Sequence, residues 1–132
     1  MANIGAWGAA AMLDWVLGGA TPTRPASRLV ALSTGTPTSV SASGEYQTSS
    51  GYARQSALFG AAASPAGSAS NTAAMTFGPF SSSNAIQGLL IYDTISINSG
   101  SIWWYGTLLT ARTVLPGDTL TIAAGALIVT LG

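Results

Sequence analysis

The chain has 132 residues, only 6% of them charged, and its formal net charge at pH 7 is zero. It contains no histidine, cysteine or lysine, which excludes a serine–histidine–aspartate triad, a histidine–cysteine zinc set and a disulfide framework. A hydrophobic content of 48% excludes disorder, and a neutral chain is a poor partner for nucleic acid or an anionic membrane.

These properties predict one domain, residues 1–132, that works by shape and contact. We therefore expect no enzyme activity, no cofactor and no metal site. Because so few charges keep the surface soluble, a lone monomer would be prone to associate, and we expect the chain to be part of a larger assembly. No run of about 20 apolar residues occurs, so no membrane-spanning segment is predicted.

The first predicted element is a helix capped by Asn3 that runs to about Leu17 and is stopped by Gly18 and Gly19. Alanine, leucine and methionine, which are good helix formers, dominate it. It lacks basic residues and Asp14 interrupts it, so we expect no secretory signal. The helix is apolar nearly all round and needs burial on more than one side. It either packs across the sheet of its own domain or contacts another subunit with one side.

Short apolar runs separated by turn residues, such as Pro116–Asp118, follow the helix and are typical of strands. The predicted strands cover 28–34, 51–59, 72–77, 86–93, 101–110, 112–115, 119–122 and 126–131. The segment 40–50 is predicted to be an exposed loop, and 60–71 a second loop. This pattern predicts a mainly β fold, an antiparallel jelly-roll-like β-sandwich over 27–132 with one short N-terminal α-helix within 1–19.

Two strands carry informative side chains. In the strand 51–59, strict alternation places four residues on one face: Tyr52, Arg54, Ser56 and Leu58. In the aromatic strand that begins at Ile102, alternation predicts Ile102, Trp104 and Leu108 on one face and Trp103, Tyr105 and Leu109 on the other. One of these apolar faces should enter the core. The other must be covered by the helix, a loop or a neighbouring subunit.

The ionisable side chains offer few chemical candidates. Arg28 or Arg54 can pair with Glu45 or Asp93, and an exposed pair of this kind contributes under about 1 kcal/mol. Asp93 and Asp118 could be considered as a glycosidase pair. We favour structural roles, because Asp118 belongs to a turn and Asp93 ends a strand. The surface is rich in serine and threonine, but no regular spacing marks it as a carbohydrate or ice contact.

An ordered set of short segments runs from Met12 to Leu131. The segments are Met12–Gly19, Val30–Thr34, Pro37–Thr38, Gly51–Arg54, Ser70–Asn71, Met75–Phe77, Leu90–Asp93, Tyr105–Leu108, Val114, Gly117–Leu120 and Ala123–Leu127. In order and spacing this set resembles a family of small virion proteins of tailed bacteriophages, which are described as tail-fibre-like or as capsid decoration (cement) proteins. The serine- and alanine-rich segments after Gly60 and at 80–84 depart from the resemblance.

The resemblance implies a jelly-roll-like sandwich on the outside of a phage capsid, made in the bacterial host cytoplasm. It implies a decoration protein that binds the major capsid protein lattice. The alternative is a tail-fibre or head-surface module that recognises host glycan. Coiled-coil heptads and β-helical repeats, which would form a fibre stalk, are not found in this sequence. We therefore favour decoration.

Four aromatic residues are the candidate contacts with the capsid or with another subunit: Trp7, Trp15, Trp103 and Tyr105. A homo-oligomer is expected, with a dimer favoured over a trimer because twofold symmetry is the commonest.

Overall fold

The computed structural model describes residues 2–47, 51–63 and 67–130. Within these ranges the chain forms one helix and nine strands. In chain order they are β1 (Ala2–Ile4), α1 (Ala6–Leu17), β2 (Leu29–Ser33), β3 (Gln55–Ser56), β4 (Ser68–Ser70), β5 (Met75–Phe77), β6 (Asn84–Tyr92), β7 (Ile102–Val114), β8 (Leu120–Ile122) and β9 (Ile128–Thr130).

The strands form two sheets. Seven lie in one sheet in the order β3-β2-β6-β7-β1-β9-β4, and β5 pairs with β8 in the other. Every strand pair is antiparallel except β1–β9, in which Ala2 pairs with Val129. Side chains of both sheets share one core, which includes Val30, Leu32, Met75, Phe77, Ile86 and Ile91. The predicted mainly β, antiparallel, sandwich-like fold with one helix is confirmed.

Helix α1 begins later than the sequence predicts. Asn3 does not cap it. Asn3 lies in β1 and pairs with Tyr105 of β7. The N-cap is Gly5, which makes no side-chain cap hydrogen bond and instead donates its N–H to the carbonyl of Trp103 at 2.7 Å. Strand pairing with β7 therefore takes precedence over the capping preference of asparagine. The predicted end is confirmed, since Gly18 has the left-handed φ of 80°.

The segments between β2 and β4 correct three predictions. The segment 40–50 is not wholly exposed, because Glu45 and Tyr46 are buried, whereas 48–50 lie outside the described residues. The predicted strand 51–59 shrinks to Gln55–Ser56, and of its four same-face residues Ser56 and Leu58 are exposed. The predicted loop 60–71 contains β4, and its residues 64–66 are not among those described.

Strand β7 departs from regular alternation at its start. A bulge opposes Ile102 to Tyr92 and Trp104 to Ile91. Ile102 consequently packs with Tyr105 in a second, smaller cluster, and the prediction that it shares a face with Trp104 is wrong. Trp104 and Leu108 both contact the main core, as predicted.

A second irregularity lies further along β7. Thr107 pairs with Gly88 and Arg112 with Ile86, so residues 108–111 oppose only Gln87. The two strands predicted at 101–110 and 112–115 are therefore one strand with an outward excursion between them. Leu109, at the centre of the excursion, is fully exposed.

Candidate functional site

Helix α1 contacts the large sheet through its smallest residues. Gly8 and Ala11 are its buried positions. A Cβ atom at Gly8 would lie 2.8 Å from the carbonyl oxygen of Trp103, and one at Gly5 would lie 2.2 Å from that of Ile102. Both distances are shorter than side chains tolerate, so the helix backbone lies directly against β7 and only glycine fits there.

The part of α1 that the sheet does not cover, which we call its outward side, carries the large side chains and includes every face of residues 13–17. Its exposed apolar residues are Trp7 at 47%, Leu13 at 60%, Trp15 at 71%, Val16 at 69% and Leu17 at 77%. Asp14 is the only charge of the helix. The helix thus packs across its own sheet through Gly8 and Ala11 in its first half, as one of the two hypotheses predicted, and the described residues of this chain leave residues 13–17 uncovered.

The four predicted contact residues lie in different environments. Trp7 and Trp15 are exposed on α1, whereas Trp103 is only 8% exposed and Tyr105 is half-buried in the smaller cluster. The rings of Trp7 and Trp103 are 4.5 Å apart and tilted by 57°. The buried ring of Trp103 therefore supports the Trp7 ring from below. Trp7 is the one of the two that a partner can reach.

An apolar groove of about 400 Å³ lies beside α1. Met12 of the helix contributes to it, together with Phe59, Ile91, Trp103 and Trp104. Two arginines, Arg24 and Arg28, also line this apolar groove, and within the described ranges neither forms an ion pair.

The tryptophans of the groove carry an unmet hydrogen-bonding requirement. The indole Nε1 atoms of Trp103 and Trp104 are buried and have no acceptor among the described residues. A buried donor left without a partner costs about 1–3 kcal/mol. In β7 the Nε1 atoms of the two indole rings are therefore buried without hydrogen bonds among the described residues.

A second groove, of about 740 Å³, lies between the start of α1, the segment 39–47 and the segment 98–102. We call it the serine-lined groove. Its aromatic side chains are Trp7 and Tyr92, and its amides are Gln47 and Asn98. Five serines also line it: Ser39, Ser41, Ser43, Ser99 and Ser101.

The only carboxylate of the serine-lined groove, Glu45, belongs to a buried ion pair. Arg54 Nε lies 2.6 Å from Glu45 Oε1, and Arg54 Nη2 lies 2.7 Å from Glu45 Oε2. The sequence predicted this pair as one of several, but as an exposed one; the two side chains are 0% and 1% exposed. Because the guanidinium neutralises the carboxylate, the groove presents no net charge to a ligand.

The pair makes four further hydrogen bonds. Arg54 Nη1 donates to the carbonyls of Thr94 and Ser99, at 2.7 and 3.0 Å. The Tyr52 hydroxyl and the Asn98 N–H donate to the carboxylate of Glu45. The guanidinium lies 3.7 Å from the centre of the Tyr92 ring. A densely hydrogen-bonded cluster of this kind fixes the surrounding loops.

Two tyrosines of this cluster stay neutral at physiological pH. Burial raises the pKa of Tyr52 well above its ordinary value of 10.0, and burial likewise raises the pKa of Tyr92. The Tyr52 hydroxyl also accepts the N–H of Leu32 at 3.1 Å, which connects the cluster to β2. These side chains can donate and accept hydrogen bonds, and neither is poised to exchange a proton near neutral pH.

The carboxylates considered as a glycosidase pair have local structural roles. Asp93 Oδ1 accepts the N–H of Ser101 at 2.8 Å, and Asp118 Oδ2 accepts the N–H of Leu115 at 2.9 Å. Across the described ranges, no group of three or more histidine, cysteine or acidic side chains could hold a metal ion. Nor does any helix in that part of the chain have the length and apolarity needed to cross a membrane.

The grooves were missed by the sequence analysis because long-range packing forms them. Met12, Phe59 and Trp104 of the apolar groove come from three separate parts of the chain, and no local motif connects them. The serine-rich composition of 40–50 is visible in the sequence. Its proximity to Trp7 and Asn98 is not.

Comparison with protein families gives a match over almost the whole chain. The model of the family described as podophage GP4 fiber I protein gp80 matches residues 3–130. A comparison with curated proteins gave no match. The family match spans nearly the whole chain, including α1, both sheets and the two grooves. The chain therefore belongs to the family of the podophage GP4 fiber I protein gp80 and is a structural protein of a phage virion.

Proposed function

We propose that this chain is a structural subunit of a virion fibre and that the outward side of α1 holds it in the assembly. The observation that carries the proposal is the exposure of five large apolar side chains, between 47% and 77%, on a helix of 12 residues. Exposed apolar surface of this kind marks protein interfaces. The description of the family supports a fibre as the assembly.

The exposed parts of the two tryptophans supply much of the energy of such a contact. Full burial of a tryptophan removes about 150–250 Å² from water, so covering the exposed 47% of Trp7 or 71% of Trp15 at about 25 cal/mol per Å² amounts to roughly 2–4 kcal/mol each, before the costs of association. Trp7 and Trp15 are the two tryptophans available on α1. With one charge on the helix, little polar surface has to be desolvated.

Capsid decoration is the alternative, and it would use the same surface against the major capsid protein. The two functions differ in copy number, which quantitative mass spectrometry of purified virions measures relative to the major capsid protein. A fibre subunit should be far less abundant than the capsid protein and confined to a few positions in a reconstruction of the particle. Copies spread over the whole head lattice would replace the fibre function with decoration.

Attachment through α1 is tested by truncating its aromatic side chains. Trp15→Ala and Trp7→Ala should each lower incorporation into virions, because removing a buried aromatic anchor costs about 2 kcal/mol or more. Leu109→Ala is the matched control, since Leu109 is fully exposed but lies outside the helix and outside both grooves. Unchanged incorporation of both tryptophan variants, with the circular dichroism spectrum of the sandwich retained, would reject the proposal.

Contact with host glycan is a second candidate function, favoured by the serine-lined groove. The half-exposed ring of Trp7 beside hydroxyls and amides offers stacking and hydrogen bonds to a neutral sugar. Purified host surface polysaccharide should bind the chain by calorimetry, more weakly in Gln47→Ala and Trp7→Ala, and unchanged in Trp15→Ala. If the polysaccharide does not bind the wild-type chain, this function is rejected.

We also propose that the chain is not an enzyme. The carboxylate of Asp93 accepts the N–H of Ser101 across the connection between β6 and β7, and that of Asp118 accepts the N–H of Leu115 within its own turn. Incubation with host polysaccharide should release no product. Turnover that disappears in Asp93→Asn or Asp118→Asn would contradict this.

A further inference from the structure

The chemistry of the apolar groove points to a specific kind of occupant. Two of the four arginines in the chain, Arg24 and Arg28, line it, around side chains that are otherwise apolar and aromatic. Arg24 is exposed, and among the described residues the Arg28 guanidinium donates only to the carbonyl of Pro25, at 3.2 Å. An occupant that suits this groove has a large apolar side chain and a carboxylate close to it.

The second half of α1 has that combination. Trp15 is 71% exposed, and Asp14, one position earlier, projects about 100° round the helix from it, where it can meet the edge of a groove that Trp15 enters. Among the described residues, Glu45 is paired with Arg54, and Asp93 and Asp118 accept backbone N–H groups, which leaves Asp14 as the carboxylate without a partner. The unpaired acid and two of the three arginines without an ion pair among the described residues thus lie on two surfaces that are both apolar; the third, Arg112, is exposed on β7.

The two surfaces lie next to each other on one side of the molecule. Met12 contributes to the apolar groove. Trp15 and Val16 follow it by three and four residues, so they lie on the same helix face. Trp15 does not fill the groove of its own chain, because most of its surface is exposed. A patch that holds both a projecting group and its receiving groove is self-complementary, which is what a twofold interface requires.

We propose that two copies of this chain form a reciprocal dimer in which Trp15 of each copy occupies the apolar groove of the other, with Asp14 facing Arg24 and Arg28. The proposal rests on the proposed function in one respect, namely that α1 is the assembly surface. It adds the partner, a second copy, and the surface on that copy that receives the helix.

The test measures the oligomeric state of the full chain by sedimentation equilibrium. The wild-type chain should be a dimer, and Trp15→Ala should raise the dissociation constant at least about 900-fold, because the reciprocal dimer loses two buried aromatic anchors worth about 30-fold each. Asp14→Arg should also weaken the dimer. Combining Asp14→Arg with Arg24→Asp and Arg28→Asp should restore association, because the charges are then exchanged. Leu109→Ala is the control and should leave association unchanged.

Three results would overturn the dimer: a monomeric wild-type chain, association that Trp15→Ala does not weaken, or no rescue by charge exchange. A trimer would overturn the twofold arrangement. Incorporation into virions separates this inference from the proposed function. A monomer that still enters virions through α1 rejects the dimer alone, whereas a dimer that is absent from virions rejects the fibre function alone.

Discussion

Proteins usually bury apolar side chains and expose charged ones, and two regions of this molecule depart from that rule. The cluster around Glu45 and Arg54 buries charges, and the outward side of α1 exposes apolar groups. In the cluster, two charged side chains are almost completely buried. On α1, large apolar side chains such as Trp15 and Leu17 are mostly exposed. The cluster satisfies its charges within the chain, so its work is structural. The apolar side chains on the outward side of the helix are not covered by the described residues of the chain, so we expect them to contact another molecule.

The two regions also differ in how firmly they are held to the rest of the chain. The Glu45–Arg54 cluster connects segments that are mostly irregular, since Arg54 donates to the carbonyls of Thr94 and Ser99. Helix α1 is regular, yet it is attached through a few small residues. Disrupting the cluster should therefore cost stability, and changing the outward side of α1 should cost association.

The largest expected effect is at Arg54. Arg54→Met leaves the carboxylate of Glu45 buried without its cation, which should lower the free energy of unfolding by about 3–5 kcal/mol. Urea denaturation measures this change. Arg112→Met is the control, because Arg112 is exposed and its replacement should change stability by no more than about 0.5 kcal/mol. A loss at Arg54 no larger than that of the control would contradict the role assigned to the cluster.

A leucine pair compares core and helix directly. Leu32 is 0% exposed and Leu17 is 77% exposed. Leu32→Ala should cost about 2–5 kcal/mol in the free energy of unfolding, because it leaves a cavity. Leu17→Ala should cost no more than about 0.5 kcal/mol in the dissociated chain. Equal losses measured by thermal unfolding would show that α1 is covered within its own chain.

High pH should weaken the cluster selectively. Burial raises the pKa of Tyr52 above the ordinary 10.0, so the folded state keeps the proton longer than the unfolded state. The stabilisation is complete below pH 10 and is lost above it, by up to about 1.4 kcal/mol per pH unit. Thermal unfolding followed across this range should show the decline. In Tyr52→Phe the stability should decline less steeply with pH. A decline as steep as in the wild-type chain would show that another group causes it.

The attachment of α1 is tested at Gly8. A Cβ at this position would lie 2.8 Å from the carbonyl oxygen of Trp103. Gly8→Ala should therefore destabilise by about 1–3 kcal/mol, which outweighs the gain in helix propensity of about 1 kcal/mol. Ala10→Leu, at an exposed position of the same helix, should be nearly neutral in chemical denaturation. Stabilisation by Gly8→Ala would mean that the helix does not lie on β7 as described.

Local patterns were enough to predict the fold class and several elements. The turn and alternation signals located β2, β6 and β8 to within a few residues, and Gly18 marked the end of α1 correctly. Asn3 was wrongly taken for a helix cap because its pairing with Tyr105 depends on a residue about a hundred positions away. The bulge at the start of β7 likewise arises from pairing with β6, which no local pattern records.

The candidate site was predicted in part. The sequence correctly predicted a helix that carries more apolar residues than one buried side can cover. It also placed Trp7 and Trp15 on that helix, where the structure has them. Trp103 and Tyr105 were grouped with them because a strand sequence does not reveal which of its faces is covered. The burial of Glu45 and Arg54 was missed because a serine-rich segment around Glu45 suggested an exposed loop.

The way in which α1 lies on β7 has an evolutionary consequence. Gly5 and Gly8 place helix backbone against strand backbone, so the fold does not depend on which large side chains point outward from the helix. Substitutions on that outward side are free to accumulate without unfolding the sandwich. Related chains that keep these two glycines could thus acquire new partners by changing only the outer residues of the helix, and the record of partner choice in the family should be concentrated there.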